Sequence, residues 1–122
     1  MKKITGIVIE GKKLGRKLGF PTANVQLQEK LEGGVYVGLA SIAGQKYPSA
    51  IFIWPDKMLL EAHILDFERN IYGREITIEI GDKIRDSIKF ESEAELIAQI
   101  AKDIETIRKV FSNKLMKLKP KS

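Results

Sequence analysis

The chain contains no cysteine. That excludes disulfides, thiolate-ligated zinc, iron–sulfur clusters and a cysteine nucleophile, and it fits a reducing compartment better than a secreted, disulfide-stapled domain. A single histidine excludes a multi-histidine metal site. No stretch approaches the roughly 20 apolar residues of a membrane-spanning helix. The opening MKKITGIVIEG has a basic start, but its apolar run is too short for a secretion signal and lacks a small-residue cleavage site. The common phosphate-binding fingerprints are missing too: no G-K-[ST] follows the early glycines, and no GxGxxG opens a helix. A cytoplasmic protein without membrane association is expected.

What is present is a chain of 122 residues with a formal net charge of +5. This is one domain's length, able to bury roughly two-thirds of its unfolded surface without covalent help. The positive charge gathers in two places. Lys12, Lys13, Arg16 and Lys17 crowd one glycine-containing loop, and Lys114, Lys117, Lys119 and Lys121 decorate the tail. The tail lysines suit a helix C-terminus, where cations oppose the negative end of the dipole. The basic balance fits either a nucleic acid or a phosphorylated small ligand. A nucleic-acid surface would interleave aromatics with Lys and Arg on one face, and the aromatics here are scattered along the chain. Small-molecule substrates and a monomer, without nucleic acid, are therefore expected.

The first ninety residues read as short β-strands: Ile4 to Glu10, Val35 to Ile42, Lys46 to Trp54, Met58 to Leu65 and Glu75 to Ile80. In the last of these Ile76, Ile78 and Ile80 alternate with Glu75, Thr77 and Glu79, and Gly81-Asp82 is expected to end it. Five or six short strands with no helical pattern between them predict a closed antiparallel barrel or a sandwich over about residues 1–90. The period then changes. Ser92 and Glu95 form an S-x-x-E capping box, and Leu96, Ile97, Ile100, Ile104, Ile107, Val110 and Phe111 recur at helical spacing. One amphipathic helix over about 92–112 is predicted, followed by a frayed basic tail over 113–122.

Between the first strand and the next lies EGKKLGRKLGFPTANVQL. Gly11, Gly15 and Gly19 let main-chain amides approach an anion closely, and Arg16 adds charge to the same loop. Pro21 fixes its own φ and presses Phe20 toward extended geometry. Thr22 and Asn24 then lie on one side of a short extended segment, where a hydroxyl and an amide oxygen are suitable ligands for Mg²⁺ and the phosphates it bridges. The same residues are also ordinary hairpin and turn chemistry, so both readings stand on the residues alone.

The run GRKLGFPTAN (Gly15 to Asn24) resembles the signature of riboflavin kinases, the enzymes that make FMN from riboflavin and ATP. The likeness continues in order through GVYVG (Gly34 to Gly38), LEAHILDFERNIYGREI (Leu60 to Ile76) and IRDSIKFESEAELIAQIAKD (Ile84 to Asp103). The resemblance implies a six-stranded antiparallel barrel with a C-terminal helix, making FMN and ADP from riboflavin, ATP and Mg²⁺. It implies that Thr22 and Asn24 bind Mg²⁺ and the ATP phosphates, and that Gly11, Gly15, Arg16, Gly19 and Pro21 belong to the nucleotide loop. Glu61 would be the general base for the ribityl 5′-hydroxyl, and Arg85, Trp54 and Phe90 would border the flavin.

Some residues carry a second reading. If Glu61 faces the barrel mouth, desolvation raises its pKa toward a useful base; otherwise it is a solvent-facing strand residue. His63 shares its face, as a dyad partner or, more simply, a structural histidine. Trp54 either stacks on the isoalloxazine ring or caps the barrel. The chain also departs from the family pattern. Before the glutamate strand the family carries N-I-G-x-x-P-T-F, and here SAIFIWPDKMLLEAH stands instead. Leu14 replaces a residue that is more often polar. These changes bear on the acceptor side and keep open a degenerate flavin- or nucleotide-binding barrel with a regulatory role. With no segment before Met1, conversion of FMN to FAD is not expected.

Overall fold

In a computed structural model, residues 2–9, 22–67 and 69–118 are described. The chain divides into two compact units, residues 1–88 and 89–122.

The first unit is a single six-stranded sheet: β1 (Lys2–Ile7), β2 (Ala23–Gln26), β3 (Gly34–Ile42), β4 (Gln45–Trp54), β5 (Leu59–Ile64) and β6 (Glu75–Arg85). The spatial order is β1-β6-β3-β4-β5-β2, and every pairing is antiparallel. The two outer strands meet where Ile9 bridges Asn24, with the Ile9 amide donating to the Asn24 carbonyl at 2.8 Å. The sheet therefore closes almost completely, which removes the exposed edges that an open sheet would present. The expected barrel is the one found, and the sandwich alternative falls away.

Strand alternation fills the interior. Ala23, Val25, Ile51, Ile53, Leu60, Ala62, Ile64, Ile76, Ile78 and Ile80 form one buried cluster. β-branched side chains suit this pleated inner surface. The β3–β4 hairpin turns through Ala43 and Gly44, both at positive φ (49° and 83°), with Ile42 facing Gln45; this is the two-residue turn whose twist matches its strands.

Gly81-Asp82 does not end the sixth strand. β6 runs on to Arg85. From Ile80 to Lys83 it advances three residues while its partner β3 moves only from Gly38 to Tyr36, and the pairing slips again between Tyr36 and Val35. These are β-bulges, which bend a strand and tighten its twist without breaking it. Gly81 is suited to the first, since a Cβ there would lie 3.0 Å from the Val37 carbonyl oxygen.

The second unit contains α1 (Glu93–Leu118). Ser92 caps it, its Oγ accepting from the Glu95 amide at 3.2 Å. The Glu95 carboxylate accepts from the Glu91 amide rather than from that of Ser92. The helix passes the expected end near 112 because Asn113 to Leu118 hold no Gly or Pro before Pro120. Ile104 and Ile107 are buried as the stripe predicts. Asp103, assigned by periodicity to the polar face, is buried as well and accepts from Gln99 Nε2 at 3.1 Å. No helix among the described residues is long and apolar enough to cross a membrane.

Candidate active site

The site begins from a line of cross-strand partners. Asn24 on β2 faces Glu61 on β5, Glu61 faces Phe52 on β4, Phe52 faces Val35 on β3, and Val35 faces Arg85 on β6. Directly opposed residues in an antiparallel sheet share a face, so these five side chains form one row. It lies on the face away from the inner cluster, because Leu60 and Ala62 on either side of Glu61 point inward. Glu61 thus does not point into the barrel interior. Three strand spacings separate it from Arg85, about 14 Å along the sheet.

At one end of the row the polar groups converge. The Thr22 hydroxyl donates to the Glu61 carboxylate. Asn24, its direct cross-strand neighbour, is only 5% exposed. Burial pushes the Glu61 carboxyl up from its ordinary value, while the Lys57 cation and the Thr22 hydroxyl pull it back. This is the direction a general base needs, although the burial arises on the outer face rather than at a barrel mouth. Thr22 has one proton and two lone pairs; the proton is given to Glu61, which leaves oxygen lone pairs for a cation. Hydroxyl, amide and carboxylate oxygens are the hard donors that Mg²⁺ takes, so this set fits such an ion.

The row's middle is apolar and buried: Phe52 is 5% exposed and Val35 2%. The sequence alone shows both only as members of apolar strands, since a buried outer face and an inner core carry the same residue types. At the far end the Arg85 guanidinium donates from Nη1 to the Asp86 carbonyl at 3.0 Å. Lys83 ties this end down, reaching Glu32 at 2.7 Å and Asp86 at 2.5 Å and lying over the Tyr36 ring.

Trp54 stands on the same face as Phe52, two residues along β4. Its Nε1 is buried without a hydrogen-bond partner among the described residues, and Lys57 Nζ lies 5.5 Å from its ring centroid. One face of the indole is therefore occupied by a cation. His63 is half-buried on Glu61's face and has a partner of its own. Phe90 is half-buried and belongs to the second unit. The nucleotide-loop residues Gly11, Gly15, Arg16, Gly19 and Pro21 lie outside the described residues. A further aromatic group forms at the opposite end of β4, where Tyr47 meets Phe67 edge-on at 5.1 Å and Arg69 covers the Phe67 ring. Both aromatics pack on the inner cluster, so they close that end of the barrel.

The fold and site together define a class of small six-stranded antiparallel β-barrels with a carboxylate, a hydroxyl and an amide grouped on the outer face. The family model for flavokinases, riboflavin kinase, matches residues 2–111, and the chain belongs to the riboflavin kinase family. It is 36% identical over 125 residues to the bifunctional riboflavin kinase/FMN adenylyltransferase of Haemophilus influenzae, covering 91% of this chain and 39% of that protein. It is 41% identical over 119 residues to the RNA-binding riboflavin kinase RibR of Bacillus subtilis, covering 91% and 52%. Among solved structures, riboflavin kinase from Trypanosoma brucei superposes with a TM-score of 0.62 at 26% identity, over 90% of this chain and 79% of that one. A Streptococcus pneumoniae structure described as a macrolide-efflux protein superposes with a TM-score of 0.74 at 33% identity, over 87% and 36%. The chain thus spans about two-fifths to one-half of the curated relatives named here.

Proposed function

We propose that this chain phosphorylates the ribityl 5′-hydroxyl of riboflavin with ATP to give FMN and ADP, with Glu61 as the general base. The observation that carries the reading is the Thr22–Asn24–Glu61 group: a half-desolvated carboxylate held by a hydroxyl and facing a buried amide across a strand pair. Phosphoryl transfer asks mainly for positioning and charge neutralisation, with a modest base. In this reading Glu61 accepts the 5′-hydroxyl proton at a carboxylate oxygen, and the Thr22 bond fixes which way that oxygen points. Thr22 and Asn24 would hold Mg²⁺, which when bound neutralises phosphate charge. The acceptor's polar chain would end at Glu61, and Arg85, at the far end of the row, would border the flavin. Trp54 flanks this surface, and the residues from 11 to 21 serve the nucleotide. Cytoplasmic location and monomeric action belong to the same proposal.

Incubation with riboflavin, ATP and Mg²⁺, followed by chromatography for FMN, tests it. Glu61→Ala is expected to lower FMN formation at least 100-fold with ADP binding retained. Undiminished turnover would remove Glu61 from the role.

One observation favours a second reading. RibR, which shares 41% identity with this chain, is described as RNA-binding, and this chain carries a net charge of +5. RNA binding by this chain predicts oligonucleotide retention that weakens steeply with salt; retention that is absent at low salt disposes of it.

A further inference from the structure

The Glu61 end of the row presents a hydroxyl, an amide and a carboxylate, yet the reaction proposed above spreads negative charge over a transferring phosphoryl group. Such charge is best met by a cation already in place. Lys57 is a cation that the described residues bring to this end. It comes from the turn Pro55–Lys57 joining β4 to β5, within the segment where the chain departs from the family pattern.

The backbone around Lys57 is held firmly. Met58, next in the chain, adopts φ 49° and donates its amide to the Pro55 carbonyl at 3.1 Å. Its own carbonyl accepts from the Leu27 amide at 2.8 Å and from Gln26 Nε2 at 2.9 Å, which staples the turn to the end of β2. The side chain, by contrast, is exposed and has no ion-pair partner among the described residues; it lies over the Trp54 ring. Trp54 and Glu61 occupy diagonal positions on one face, since Trp54 pairs with Leu59 and Phe52 with Glu61. Diagonal neighbours lie about 7–8 Å apart, within reach of a lysine side chain. Glu61 already feels the Lys57 charge.

We propose that Lys57 is a second catalytic group, resting over the Trp54 ring without substrate and binding the oxygens of the transferring phosphoryl group beside Glu61 during turnover. The inference rests on the reading of Glu61 given above. The ribityl 5′-oxygen forms a bond to the γ-phosphorus as the bridging bond to the β-phosphate oxygen breaks. The electron pair of that bond leaves with ADP, and the hydroxyl proton passes to Glu61. Lys57 exchanges no proton and supplies charge alone.

The test compares wild type, K57M, K57R and E61Q in steady-state FMN formation, with riboflavin binding followed by flavin fluorescence and folding by thermal melting. K57M is expected to lower kcat about 100-fold with KM for riboflavin within about twofold, and K57R to restore about tenfold. A kcat for folded K57M within about threefold of wild type overturns the proposal, as does a loss confined to KM. Should K57M fail to fold, K57Q carries the same comparison. Wild type that makes no FMN overturns the kinase reading and this inference with it. Active wild type with inactive E61Q and active K57M overturns this inference alone.

Discussion

Glu61 shows how a single residue can be identified by type and still be misplaced in space. An acidic residue interrupting the apolar strand LLEAHIL is conspicuous, and the sequence leaves two settings open, a desolvating barrel mouth or a solvent-facing strand position. Instead, alternation along β5 sends Leu60 and Ala62 inward and places Glu61 on the outer face beside Asn24. The pKa direction is the one expected at a barrel mouth; its setting differs. That direction also has a consequence for stability. A carboxyl whose folded pKa is raised binds its proton more tightly in the folded state, so folding stability falls as pH rises from the ordinary value of 4.5 through the folded pKa. Glu61→Gln is therefore expected to melt a few degrees above wild type at neutral pH, with the gap closing below pH 4.5. Melting curves at both ends of that range check it. Glu79 behaves oppositely: the hydrogen bond from Lys46, with Lys3 nearby, holds its carboxyl below the ordinary range.

The elements were legible to different degrees. β3, β4 and β5 were readable nearly to their ends because each is a β-branched or apolar run bounded by turn residues, as at Ala43-Gly44 and Pro55-Asp56. β2 was visible only as an extended segment after Pro21; four residues are too few for a period to show. β6 was cut short at Gly81, since glycine inside a strand pattern signals an end or a bulge and only the partner strand decides which. The partner strand places its own demand on glycine. A Cβ at Gly38 would meet Ile51 Cγ1 and lie 2.9 Å from the Glu79 carbonyl oxygen. Gly38→Ala is expected to destabilise the barrel by about 1–3 kcal/mol, read as a lower denaturant midpoint with an unchanged slope. Wild-type stability in that variant would show that the β3–β6 contact yields freely.

At the scale of the molecule, the seam between β1 and β2 joins fold to site. Asn24 contributes its backbone carbonyl to barrel closure through Ile9 and its side chain to the Glu61 row. Gly6 lies opposite the same seam, where a Cβ would come within 2.6 Å of Val25 Cγ1. Valine is stiff at χ1, so the strain falls on the strand spacing. Gly6→Val is expected to lower stability by about 1–3 kcal/mol and to weaken ADP–Mg²⁺ binding, because spreading the seam moves Asn24. Calorimetric titration of ADP–Mg²⁺ checks this, and unaltered affinity would separate closure from nucleotide binding.

The sequence by itself determined the run of short strands, the capped helix, the lack of thiol chemistry and the residue types of the candidate site. Each of these is written in local periods or in composition. Only the tertiary structure decided which face carries Glu61, that Asn24 is its direct neighbour, that Phe52 and Val35 join it to Arg85, and that Lys57 lies over Trp54. The Lys57–Trp54 contact is made within one turn; the others depend on strand order and, for Arg85, on the slips in pairing along β6. Both are set by contacts between residues far apart in the chain, where no local pattern records them.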